Sequence, residues 1–136
     1  MAECTFCRIV AGELPAEVVY EDDTVIAFLD NAPLTRGHTL VVPKHHARNL
    51  FDIDPELAAH VTRVVARIAH PLVASVGAHG LNVSQNNEPA AGQVIFHYHV
   101  HLIPRHQGQT NRGRLSLSQE EMAFIGQTIR EQLYKL

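Results

Sequence analysis

Short apolar runs, bounded by polar and turn residues, recur along the first part of the chain. "AEVVYEDDTVIAFLD" predicts two strands, around residues 17–20 and 24–29, with Asp22 and Asp23 at the turn between them. "HTLVVP" predicts a third strand, closed by Pro43, which has no N–H to give to a ladder. A helical period then appears. Leu57, Val61, Val64, Val65, Ile68 and Leu72 recur three and four apart, which predicts a helix over residues 54–76 with Asp54 as N-cap, Pro55 in the first turn and Gly77 as the stop. Pro71 falls inside it and predicts a kink or an early end. "GLNVSQ" predicts another strand, "NNEPAAGQ" a loop, and residues 94–103 a fifth strand. Ser118 with Glu121 three residues on is a capping-box pattern; it opens a last helix that runs to the C-terminus, with Met122, Ile125, Ile129 and Leu133 as its buried stripe. Strands broken by one long helix and followed by another predict an α+β fold: a largely antiparallel sheet of about five strands, with residues 1–136 as a single domain.

The fifth strand is unusual chemically. In "FHYHVHLIP" the period of two puts His97, His99 and His101 on one face, and Phe96, Tyr98, Val100 and Leu102 on the other. The apolar face belongs to a core. A solvated face would explain one histidine, but three at strict alternation, in a chain with 10 in total, point to chemistry. Such a row can bind a metal, two imidazoles converging on one ion with a third ligand from elsewhere. Alternatively one imidazole is a nucleophile and its neighbours orient it or bind the anion it attacks. A phosphorus centre suits the second case, because the phosphoryl-imidazole formed is itself readily hydrolysed.

Composition narrows the partners. The net charge is −3, with 11 Lys and Arg and no basic run, which argues against a nucleic-acid polymer as partner but leaves a single nucleotide open. The 18% charged content is below the usual level of about 25%, which leaves room for a subunit interface. The start "MAECTFCRIV" lacks the pattern of a signal peptide, and no apolar run approaches the roughly 18 residues that span a bilayer, so a cytoplasmic protein with no membrane partner is expected. In that reducing compartment Cys4 and Cys7, spaced C-x-x-C, suggest metal ligands or redox groups rather than a disulfide.

"HYHVHLI" resembles the His-x-His-x-His-x-x pattern of the histidine triad (HIT) family of nucleotide hydrolases and transferases. "CTFCRIVAGELPAEVVYEDDTVIAFLD", "GHTLVVPKHH" and "AGQVIFH" are similar to its N-terminal region, its central strand and the loop entering the triad, so the resemblance covers most of residues 4–106. It implies that His99 is the nucleophile at the α-phosphorus of a purine nucleotide or nucleotide conjugate. His101 would bind a phosphate oxygen or help the leaving group, and His97 would orient His99 through its backbone carbonyl. His101 stands where the family's transferases carry glutamine, which favours hydrolysis. The resemblance further implies ribose contact by Asp30, a base sandwiched near Leu14 and Phe28, and a homodimer. Asn86 and Gln93 offer amide donors to phosphate oxygens, and Gly92 lets the backbone approach closely. The family's zinc-binding members pair two cysteines with one histidine of the Pro-Lys-x-His segment and the first triad histidine, which implies a structural zinc on Cys4, Cys7, His46 and His97; no organic cofactor is expected.

Val94 stands where the family's adenosine phosphoramidase branch carries a serine, so the substrate stays open among phosphoramidates, dinucleoside polyphosphates and acyl-adenylates. Two rivals remain: a metallohydrolase whose three triad imidazoles hold a catalytic zinc, and a nucleotide-binding regulator without turnover. His38, His45, His60, His70, His79 and His106 are assigned by default to the surface or to satisfied core positions.

Overall fold

The computed structural model describes residues 4–110 and 113–135. In chain order its elements are helix α1 (Thr5–Val10), strands β1 (Val18–Glu21), β2 (Val25–Leu29) and β3 (Thr39–Pro43), helix α2 (Pro55–Val76), strand β4 (Gly80–Ser84), a short 3-10 turn (Pro89–Ala91), strand β5 (Val100–Arg105) and helix α3 (Gln119–Leu133). The five strands form one antiparallel sheet in the order β1-β2-β3-β5-β4. The α+β architecture and strand count are those expected from the pattern of the sequence.

Both faces of the sheet are covered, which is why β2 and β3 read as continuous apolar runs. Val25, Ala27, Leu29, Val41, Val100 and Leu102 turn to one side and pack with Val61, Val64, Ile68 and Leu72 of α2 and Ile125 and Ile129 of α3. Ile26, Phe28, Leu40 and Val42 turn to the other and pack under Phe6, Ile9 and Val10 of α1. Register fixes the face of the histidine strand as well. His101 lies opposite Leu40 of β3 and Ser84 of β4, on the side that carries α1.

Local signals set the helix ends. Asp54 caps α2 by accepting the Glu56 N–H, and Gly77 ends it in the left-handed region at φ 64°. The capping box at Ser118 and Glu121 is formed in both directions. Helix α2 does not stop at Pro71; it continues to Val76. The lost hydrogen bond costs about 3 kcal/mol, while full burial of a side chain such as Ile68 or Leu72, which flank the proline, returns roughly 1.5–3 kcal/mol each. Packing therefore outweighs the break. The Ser75 hydroxyl also donates to the Pro71 carbonyl at 2.7 Å. Helix α3 ends at Leu133 rather than at the terminus, and residue 136 lies outside the described residues.

Helix α1 has no counterpart in the sequence reading. It is one and a half turns long, with the Cys4 thiol capping it by accepting the Cys7 N–H. The expected fifth strand also shifts: residues 94–99 are irregular, and β5 spans Val100–Arg105. The ladder to β3 runs only as far as Val41 opposite Val100. Beyond it Tyr98 N–H donates to the Ala47 carbonyl at 2.7 Å, and the Gln93 amide, not a strand, takes the Ile95 carbonyl. No helix among the described residues is long and apolar enough to cross a membrane.

Candidate active site

The alternation of the histidines survives the irregular backbone, since Tyr98, Val100 and Leu102 all enter the core under α2 and α3. Each imidazole then meets a group that fixes where its proton sits. A carbonyl can only accept, so the 2.7 Å contact between His99 Nδ1 and the His97 carbonyl puts the proton of His99 on Nδ1 and leaves the lone pair on Nε2. His97 Nε2 donates to the Pro43 carbonyl at 2.8 Å, so its free lone pair is on Nδ1. The Leu34 N–H donates to His38 Nδ1 at 3.0 Å, so neutral His38 carries its proton on Nε2. That proton points at His101 Nδ1, also 3.0 Å away, and leaves His101 with a donor at Nε2. The edge of the Phe6 ring meets His99, with centroids 5.2 Å apart, and His99 and His101 lie 4.9 Å apart.

Burial keeps these rings neutral. Loss of solvation lowers the pKa of His101 to about 4, with the neighbouring His99 adding to the shift, and lowers that of His97 to about 4. It also lowers His38 and His99, against the pull of Asp30 on both and of the His97 carbonyl on His99.

A cavity of about 430 Å³ opens over this face. Of the residues expected at the site, His99, His101, Asp30, Asn86, Gly92 and Gln93 line it. Leu14 and Phe28 do not. Phe28 is buried beneath Phe6, ring edge to face at 5.4 Å, so it reaches the cavity only through Phe6; the Leu14 N–H folds back onto the Arg8 carbonyl. Gln93 spends both amide protons on the Arg48 and Ile95 carbonyls, and its oxygen accepts from Asn49 and from Glu88 N–H, so it braces the loop rather than offering a donor to phosphate. Gly92, at φ 90°, brings the backbone past Asn86: a Cβ there would sit 3.7 Å from the Asn86 amide nitrogen. The same loop holds Glu88 at φ 78° and ψ 156°, a region that favours glycine. The fork of Arg48 and the Asn49 amide clamp its carboxylate at 2.7 to 2.9 Å, and so hold the strain.

Three residues of this centre escaped the sequence reading. His38 is no isolated core histidine, since it sets the proton of His101 from 63 positions away. Phe6 lines the cavity from α1, and Arg114 lines it from the segment before α3.

Behind the cavity, Cys4, Cys7, His46 and His97 bring their donor atoms within 4.8 Å of one another. His97 Nδ1 stands 3.3 Å from Cys4 Sγ, 3.5 Å from Cys7 Sγ and 3.2 Å from His46 Nδ1. Tetrahedral geometry with bonds of roughly 2.0–2.3 Å requires ligand separations of about 3.3–3.8 Å, so the set fits a zinc ion. Asp30, His38 and His101 form a second cluster, but hydrogen bonds already satisfy it and the Arg114 guanidinium sits on Asp30. Among the described residues neither cluster includes His99, so the three triad imidazoles do not converge on one ion, as the metallohydrolase alternative requires.

Residues 11–108 match the family model of the HIT domain. The chain belongs to the HIT family. A zinc-bound histidine triad family protein from Mycobacterium smegmatis is 40% identical, with a TM-score of 0.89, over 97% of this chain and 94% of the other. A hypothetical histidine triad nucleotide-binding protein from Sulfolobus tokodaii is 38% identical, with a TM-score of 0.90, over 96% of this chain and 91% of the other. The adenylylsulfatase HINT3 of Arabidopsis thaliana is 43% identical over 76% of this HIT chain, a match spanning 52% of that relative.

Because His101 and His38 titrate below the ordinary 6.5 in the folded HIT domain, the unfolded chain binds more protons as pH falls from 6.5 to about 4. Stability is therefore lost through that window, and for these groups is constant above it. The urea midpoint is expected to be lower at pH of about 5 than at about 7.5, and equal midpoints would contradict neutral burial of the two rings.

Proposed function

We propose that this HIT domain hydrolyses a purine nucleotide conjugate at its α-phosphorus through a covalent nucleotidyl-His99 intermediate. One observation carries the reading: the Nδ1 proton of His99 is held by the His97 carbonyl, so Nε2 offers its lone pair to the cavity. His99 Nε2 attacks phosphorus, and the bond from phosphorus to the leaving group breaks. The cation that forms on the ring is stabilised where its Nδ1 proton meets the His97 carbonyl. His101 Nε2–H donates to a phosphate oxygen or to the departing atom. Water then displaces the imidazole, releasing the mononucleotide and a proton and restoring neutral His99. Asp30 accepts from the ribose hydroxyls, and Asn86 donates to phosphate. The nucleotide-binding and adenylylsulfatase relatives support this choice of substrate.

Cys4, Cys7, His46 and His97 hold a structural zinc in the same reading, supported by the zinc-bound mycobacterial relative. The ion would tie α1, and with it Phe6, to the histidine segment. We read residues 1–136 as one domain, cytoplasmic, with Cys4 and Cys7 not joined in a disulfide. A second copy joins it as a homodimer; β4 is an edge strand on which Val83 is 53% exposed, an edge that another chain can cover.

Intact-mass analysis of a quenched reaction with an adenosine conjugate is expected to show one adenylyl group on the wild-type chain. His99→Ala should fold and bind AMP but show neither adduct nor turnover, and turnover by that variant would refute the nucleophile. The same wild-type preparation is expected to carry zinc and to sediment as a dimer. A metal-free or monomeric active protein would remove those two parts.

A further inference from the structure

Arg114 lies beyond the segment 11–108 that matches the family model, yet it reaches the acid at the end of the cavity. Its Nη1 donates to Asp30 Oδ2 at 3.1 Å and to the Ala32 carbonyl at 2.6 Å. Ala32 N–H in turn donates to the other oxygen, Asp30 Oδ1, at 2.9 Å. The three residues thus close a ring of hydrogen bonds that fixes the plane of the Asp30 carboxylate. The main chain is docked as well, since Leu115 N–H donates to the Pro33 carbonyl at 2.7 Å and Leu117 packs against the larger core. A carboxylate offers about four lone-pair sites. Ala32 and Arg114 take one on each oxygen, which leaves one on each for a pair of neighbouring hydroxyls. The Asp30 side chain is only 13% exposed, so it has little water to orient it in their place.

We infer that Arg114 is a positioning residue for ribose: it holds Asp30 with one free lone pair on each oxygen, and so makes the site select a 2′,3′-diol. The inference rests on the nucleotide-hydrolase reading and adds to it a residue and a discrimination. Arg114 touches Asp30 and Ala32, and its effect on the nucleotide passes through the carboxylate. Both contacts come from one nitrogen, Nη1, so a lysine ammonium, with three donors, carries the chemistry needed to stand in for it.

The test is a cycle of two deletions, one on the protein and one on the ligand. Calorimetry would measure the affinity of the whole chain and of Arg114→Ala for AMP and for 2′,3′-dideoxy-AMP, with thermal unfolding of each variant as a check of folding. Arg114→Ala is expected to weaken AMP by about tenfold, the scale of losing well-aligned hydrogen bonds to a charged group. The dideoxy nucleotide is expected to bind both proteins alike, and Arg114→Lys to recover at least part of the loss. Equal weakening of the two nucleotides would overturn the inference, because it would put Arg114 on the phosphate or in a purely structural role. An unchanged affinity for AMP, or no recovery by lysine, would overturn it too. Each of these results leaves the His99 adduct standing. Failure of the wild-type chain to bind AMP or to form the adduct would instead defeat the hydrolase reading, and this inference with it.

Discussion

The site depends on backbone carbonyls that accept hydrogen bonds from imidazoles. A neutral histidine has one donor and one acceptor nitrogen, and nothing in its own chemistry decides which is which. Here the His97 and Pro43 carbonyls decide it for His99 and His97, and the Leu34 N–H decides it for His38 and, through His38, for His101. Four rings receive four definite orientations from groups belonging to β3, to its approach and to the entry to β5. The sheet and the chemistry are therefore one construction: the His97–Pro43 and His38–His101 bonds both join the β3 region to the β5 region.

That coupling explains the irregular backbone at residues 94–99. A regular strand would commit the carbonyls and amides here to a ladder, and the His97 carbonyl would be spent on a neighbouring amide. Ending the ladder at Val100 frees it for His99 Nδ1. The same departure turns His97 Nδ1 toward Cys4, Cys7 and His46. His97 thus belongs to two constructions at once, its ring to the donor cluster and its carbonyl to the nucleophile. A metal bound there would stiffen the carbonyl that orients His99 without touching the reacting atoms.

Much of this could be read in the chain, and the limits have physical causes. Short continuous apolar runs marked the strands because both faces of the sheet are covered, and Asp54, Gly77, Ser118 and Glu121 marked helix ends because capping is a local interaction. The histidine face was legible because alternate residues of an extended segment share a side. The tolerance of Pro71 was not, since it depends on burial of Ile68 and Leu72. Nor was α1, whose cap is a cysteine thiol and which is too short for a helical period to show. His38 and Arg114 meet their partners across 63 and 84 positions, and no spacing in the chain announces such pairs. Gln93 had the right residue type for a phosphate donor, but its protons are consumed by carbonyls that only the fold brings near.

The most direct measurement is the nitrogen-15 spectrum of the ring of residue 99 in the resting protein near neutral pH. A neutral imidazole is expected, with its proton on Nδ1, hydrogen-bonded to a carbonyl, and a bare Nε2. A proton on Nε2, or a ring charged on both nitrogens, would contradict it.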